Sequence, residues 1–171
     1  WKNRKSTQLS WEENGIFPLL GEPWRLTVAA SGKTQMVPAK MLWNDEGKQF
    51  ELALAPAFTA QQIEKSVMAW YRGQATSCFS ERIAVYARRL GVALPPLRLS
   101  YAAGLWGSCN TRGVVSINWR LIQMPLHLID YVVAHELSHL IEMNHSPAFW
   151  QTVGRIYPEY REARKELKKL G

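Results

Sequence analysis

The stretch YVVAHELSHLIEMNHSPAFW, residues 131–150, limits the possible folds more than any other part of the chain. It is apolar at helical spacing, yet the same helix carries His135, Glu136 and His139, with His145 just past its end. Imidazoles and a carboxylate on a buried face cost several kcal/mol unless something satisfies them. His135 and His139 are four apart, so both rings project from one face about a turn apart. Two imidazoles at that spacing can share one small ion, and Zn²⁺ takes nitrogen ligands at about 2.0–2.1 Å. Glu136 lies about 100° round the helix, beside a metal's open position instead of in its ligand set. This is the H-E-x-x-H arrangement of zinc hydrolases.

A catalytic tetrahedral site needs a third protein ligand and one open position. His145, six residues after His139, is the expected third ligand, because the helix breaks before it. Pro125 opens that helix, which is predicted to run to about Met143, with Asn144 ending it in a left-handed conformation. Ser146 and Pro147 restart a helix as N-cap and first-turn residue. Glu142, three residues after His139, is the rival ligand, but a straight helix carries it a further turn along. The metzincin motif has the same six-residue interval with a glycine at the turn; that position here is Glu142, so the signature is not a metzincin one. His127, the fourth histidine, has no partner at metal spacing and reads as structural.

With zinc bound, water is activated near neutral pH, and Glu136 is the expected acceptor of its proton as it attacks a carbonyl. Arg112, Asn118, Arg120 and Tyr157 are polar candidates for a second oxyanion donor, with nothing to rank them. Cys109 reads as a structural cysteine instead of a ligand, since three histidines are already at hand.

The rest of the chain reads as α+β. Residues 24–30 alternate apolar and polar, residues 34–43 run back after a turn, and residues 50–54 form a third candidate strand, together an antiparallel β-meander. Thr59 and Gln62 match a capping box, and the helix they open continues toward Gly91, with Gly73 as a candidate interruption. Residues 97–101 read as a strand, and LWGSC and GVVSIN as a β-hairpin beside the motif helix. Pro158 separates the helix begun at Ser146 from a C-terminal one. With no repeat or linker, residues 1–171 read as a single domain: 1–57 a mainly β platform, 58–171 the helices and hairpin carrying the site.

Apolar residues make up 47% of the 171, and no run nears the roughly 18 needed to span a membrane. A native start upstream of Trp1 is expected, and no targeting segment is legible in these residues. Two cysteines in unrelated contexts imply a reducing, cytoplasmic compartment. The net charge of +7 allows an acidic or nucleic-acid partner. The basic residues are scattered, however, and Glu159, Glu162 and Glu166 interleave with the C-terminal group as on a solvated helix face.

Three segments together, LWGSCNTRGVVSINWRLIQMP, IDYVVAHELSHLIEMNHSPAFW and YPEYREARKEL, resemble the YgjP-like metallopeptidase family. The likeness extends more weakly upstream, through WYRGQA and the N-terminal strands. It implies a zincin-like core, zinc held by His135, His139 and His145, and Glu136 as the catalytic glutamate. It also implies kinship with the SprT-like proteases, some of which act on DNA-bound proteins. In zincins generally a strand beside the active helix pairs with extended substrate. Trp106, Gly107 and Ser108 are the candidates here, Gly107 permitting close backbone approach; the same residues serve equally well as packing. Phe149 and Trp150 are expected to pack over the base of the site and hold His145.

The expected function is therefore a zinc-dependent peptidase with a polypeptide substrate. Two other readings remain: a metal-dependent nucleotide phosphoanhydride hydrolase, and a basic nucleic-acid- or protein-binding module with a structural zinc. The first lacks a glycine-rich phosphate loop. The second needs a fourth protein ligand, such as Cys109, to close the site.

Overall fold

The computed structural model of the chain describes residues 11–12, 15–28, 34–38, 50–52 and 59–170. Four strands, β1 (Ile16–Leu19), β2 (Glu22–Val28), β3 (Thr34–Pro38) and β4 (Phe50–Leu52), form an antiparallel meander in the order β1-β2-β3-β4. The expected extensions of these strands to residues 30, 43 and 54 lie outside the described residues, as does the turn at 31–33. Strand β1 is an addition to the sequence reading. Leu20 and Gly21 both have positive φ (51° and 79°), as a two-residue hairpin with right-handed strand twist demands. A Leu-Gly pair is a weak turn signal, which hid the hairpin. Gly21 has a second constraint: an added Cβ would stand 2.9 Å from Cγ of Pro125. The turn is also tied to what lies below it, Leu20 N–H donating to Ile122 O (2.8 Å) and Gly21 N–H to Gln123 O (2.9 Å).

Helix α1 (Ala60–Leu90) opens on the capping box foreseen from Thr59 and Gln62 and closes on Gly91 at φ 78°. Gly73 does not interrupt it. That position is exposed, nothing lies within 4 Å of where its Cβ would be, and buried Val67, Trp70, Tyr71, Ala75 and Phe79 hold the helix from both sides. Tertiary burial outweighs the roughly 1 kcal/mol that glycine costs a helix interior.

A second sheet, ordered β5-β7-β6, joins β5 (Leu97–Ser100) parallel and β6 (Gly107–Cys109) antiparallel to β7 (Val115–Asn118). Asn110 builds the β6–β7 turn: its Oδ1 accepts from Arg112 N and Val114 N, both at 3.0 Å. A 3₁₀ turn (Trp119–Gln123) leads to α2 (Leu126–Ser138), followed by α3 (Pro147–Ile156) and α4 (Tyr160–Leu170). Helix α2 is the centre of the molecule, with every residue from Leu128 to Ser138 buried. Its one acid outside the motif, Asp130, meets Arg82 of α1 in a two-point bridge, Nε to Oδ1 at 2.6 Å and Nη2 to Oδ2 at 3.0 Å. This planar pairing locks the register of α1 on α2. None of the described helices is long and apolar enough to cross a membrane.

Candidate metal centre and cleft

Helix α2 stops at Ser138, with His139 as its C-cap, earlier than the expected Met143. The reason is local. Glu142 turns its carbonyl back to accept from His139 Nδ1 at 3.0 Å, while the backbone tightens through Leu140 N to Leu137 O (2.9 Å) and Glu142 N to Ser138 O (2.9 Å). Nor does Asn144 end the helix in a left-handed conformation: Leu20 is the sole non-glycine with positive φ among the described residues. Ser146 caps α3 as read, accepting from Phe149 N at 3.3 Å, with Pro147 in the first turn.

This early stop carries His145 back over the helix end. Nε2 of His145 comes within 3.2 Å of Nε2 of His135. Ligand nitrogens of His135, His139 and His145 all lie within 4.8 Å of one another, the one cluster among the described residues that could hold a metal ion. Tetrahedral nitrogen ligands at about 2.1 Å from zinc stand about 3.4 Å apart, close to the His135–His145 separation. The hydrogen bond at Nδ1 of His139 leaves its Nε2 free, the usual way a protein fixes a ligating ring. On His135 the Tyr131 hydroxyl stands 3.5 Å from Nδ1. Glu142 contributes its backbone and not its carboxylate, and Cys109 stays outside the cluster.

Phe149 forms the floor. It is fully buried, stacks on His139 (centroids 4.5 Å apart, planes at 21°), and meets His135 and His145 edge-on at 5.0 and 4.9 Å. Trp150 lies nearly parallel to His145 at 6.3 Å. Burial and the neighbouring rings push His135 down to about 2, and burial with His139 lowers His145 as well. Both shifts favour the neutral imidazole that a metal requires.

Glu136 is 3% exposed, its Oε1 4.0 Å from His135 Nε2, and burial pushes its carboxyl up to about 8. Gly107 makes room for it. A Cβ there would sit 3.0 Å from Cγ of Glu136, 3.1 Å from Val132 Cγ1 and 3.2 Å from Ser116 O. Gly107→Ala is thus expected to lower stability by about 1–3 kcal/mol through overpacking, and to reduce turnover by displacing the Glu136 side chain. Thermal melts and an activity assay on one preparation check this; an unchanged melting temperature would contradict the close contact.

The buried site also sets the pH response of the metal-free chain. Below about 6.5 the unfolded chain takes up protons at His135 and His145 that the folded chain refuses, so these two groups make stability climb with pH. Between 4.5 and about 8 the folded chain keeps a proton on Glu136 that the unfolded chain has lost, which pulls stability down as pH rises. Above 6.5 only the second effect is left, a fall of about 2 kcal/mol by pH 8. Urea unfolding in chelator at the two pH values measures it, and Glu136→Gln removes the fall.

The histidines open into a cleft of 610 Å³. Gly107 and Ser108 line it, as does Cys109. Trp106 does not: it is a core residue, 2% exposed. Among the described residues strand β6 is an edge of its sheet. Trp106 O accepts from Asn118 N and Asn110 N donates to Val114 O across β7, so by alternation the backbone groups of Gly107 and Cys109 turn to the open edge. None of the four oxyanion candidates lines the cleft. Asn118 spends its amide on Ala102 O (2.9 Å) and Leu105 O (3.0 Å), and Tyr157 donates to His127 O (3.0 Å). Arg112 sits exposed in the β6–β7 turn, and Arg120 lies against the Trp119 ring. His127 pairs with Glu166 at 2.7 Å, away from the site, consistent with its structural reading.

Sequence reasoning missed Leu105, Met143, Arg164 and Lys168 as cleft residues. Helical spacing on α4 showed a charged stripe; nothing in the sequence showed that the stripe faces α2 and the histidines.

A crystal structure of the metallopeptidase zymogen abylysin from Pyrococcus abyssi superposes with a TM-score of 0.50 at 20% identity, covering 53% of this chain and 92% of that one. At that identity the likeness concerns the fold alone. Among curated proteins no relative matches the chain. The model of the YgjP-like metallopeptidase domain matches residues 1–170, and the chain belongs to that family.

Proposed function

We propose that this chain is a zinc-dependent peptidase in which His135, His139 and His145 hold the metal and Glu136 moves the proton. The observation that supports it is the convergence of three imidazoles, two of them biased to the neutral form, beside a buried carboxylate and a strand edge that no other described strand covers. Zinc, when bound, supplies a Lewis acid that lowers the pKa of water to about 7 and polarises a carbonyl.

Glu136 takes a proton from the attacking water and passes it to the leaving amine. Its burial helps, because a general base works best with a pKa near the operating pH. Gly107 and Cys109 offer edge N–H and C=O groups on which an extended polypeptide pairs in strand fashion, presenting its carbonyl to the site. Phe149 and the Glu142 carbonyl hold the rings in place. Residues 1–171 act as one domain, with the N-terminal meander as platform, and the free thiols of Cys78 and Cys109 suit a reducing, cytoplasmic compartment.

The test is an endopeptidase assay of zinc-loaded protein on unfolded polypeptides, with a chelator control and a parallel panel of nucleotides. Fragments are expected, disappearing with chelator and returning with zinc. Phosphate release from nucleotides, abolished by Glu136→Ala and unaccompanied by proteolysis, would replace this reading with the phosphoanhydride one.

A further inference from the structure

The cleft does not end at the histidines. Arg164 and Lys168 of α4 line it, and both also line an adjoining hollow of 390 Å³ walled by Trp150, Tyr160, Arg161 and Lys165. Positions 161, 164, 165 and 168 recur at helical spacing, so α4 shows four cations along one stripe while Ala163 and Leu167 are buried. Of the acids on and beside α4, Glu166 reaches His127, and neither Glu159 nor Glu162 forms an ion pair with these cations among the described residues. Among the described residues no carboxylate pairs with Arg164, Lys165 or Lys168. The guanidinium of Arg164 stands 4.5 Å from the centroid of the Trp150 ring, and that ring stacks on Tyr160 at 5.6 Å and 21°. Stacking positions the Arg164 fork on the cleft wall and spends none of its N–H donors. Unneutralised cations on a concave surface concentrate anions there.

We propose that the α4 stripe is a specificity subsite for acidic polypeptide, so that the substrate carries Asp or Glu close to the bond that is cut. This rests on the peptidase reading and adds the substrate class to it. Charge complementarity and continuity with the cleft support it. A single-stranded nucleic acid fits less well, because such binders offer free aromatic faces on which bases stack. Here Trp150 is already engaged by Tyr160, His145 and Arg164, and the Arg161 guanidinium lies 5.6 Å from the Tyr160 ring centroid.

The test uses the full zinc-loaded chain carrying Glu136→Gln, which leaves peptides uncut. Fluorescence anisotropy compares a labelled 12-residue peptide alternating Glu and Ala, its Gln–Ala counterpart, and a 12-nucleotide oligothymidylate. At low salt the Glu peptide is expected to bind about tenfold tighter than the Gln peptide. Lys168→Glu, an exposed position, and Arg164→Glu should each abolish most of that preference. Lys169→Glu makes the same change in net charge at a position lining neither hollow, and should leave the preference intact. Equal binding of the two peptides, an equal loss with Lys169→Glu, or tighter binding of the oligonucleotide overturns the proposal. Cleavage of unfolded protein with no acidic preference removes this inference and leaves the peptidase reading standing. An acidic preference in a chain that cleaves nothing supports the subsite and removes the peptidase reading.

Discussion

Glu136→Gln is expected to keep its metal and its fold and to lose about 10²–10⁴-fold in turnover. The amide has nearly the shape of the carboxyl it replaces, and it enters the same space between Gly107 and His135. It removes a buried ionisable group, so the fall in stability of the metal-free chain between pH 6.5 and 8 should disappear. What it lacks is the ability to take a proton. The loss is therefore expected in kcat, with KM little changed, because the strand pairing proposed along β6 uses backbone groups and not this side chain. Elemental analysis, melting curves and turnover on one preparation separate these effects. Full turnover in the variant would eliminate Glu136 as the base.

His135→Ala is expected to lose stoichiometric metal, with activity falling to background. Of the three rings this one is the most enclosed, 6% exposed, with its Nε2 3.2 Å from that of His145 and its faces against Phe149, Trp150 and Tyr131. Losing a partner that merely orients a ligand costs about 10–100-fold in affinity, so losing the ligand itself should cost more. Zinc content after dialysis gives the answer, with His127→Ala as a control that retains its metal because His127 pairs with Glu166 outside the cleft. Retained zinc in His135→Ala would contradict the assignment whatever the activity.

Much of the centre could be read directly from the sequence because it is encoded locally. A four-residue spacing fixes two rings on one helix face, and a serine followed by proline fixes where the next helix begins. The capping box at Thr59 and the glycine at position 91 are likewise complete within a few residues. What sequence reading missed depends on distant partners. The Met143 boundary failed because the Glu142 carbonyl bends back to His139, a contact that no propensity describes. Asn118, one of four unranked candidates for an oxyanion donor, instead holds the 102–105 segment. Trp106 read equally as substrate contact or core packing, and burial decides for core, whereas its neighbour Gly107 is needed on account of Glu136, twenty-nine positions later. The cationic stripe of α4 was visible as a pattern; only tertiary packing gives it a direction.

The tip of a surface hairpin is usually where a chain accepts a tag, a cut or an inserted segment. The Leu20–Gly21 tip is different, since both of its amides are committed to the segment that enters α2 and Gly21 rests against Pro125 at the threshold of that helix. Opening the polypeptide there, or splicing foreign residues into it, would disturb the first turn of the rod whose far end holds His135 and His139. A small, remote-looking loop is thereby mechanically coupled to the reaction centre, and protein engineers should look elsewhere for a permissive joint.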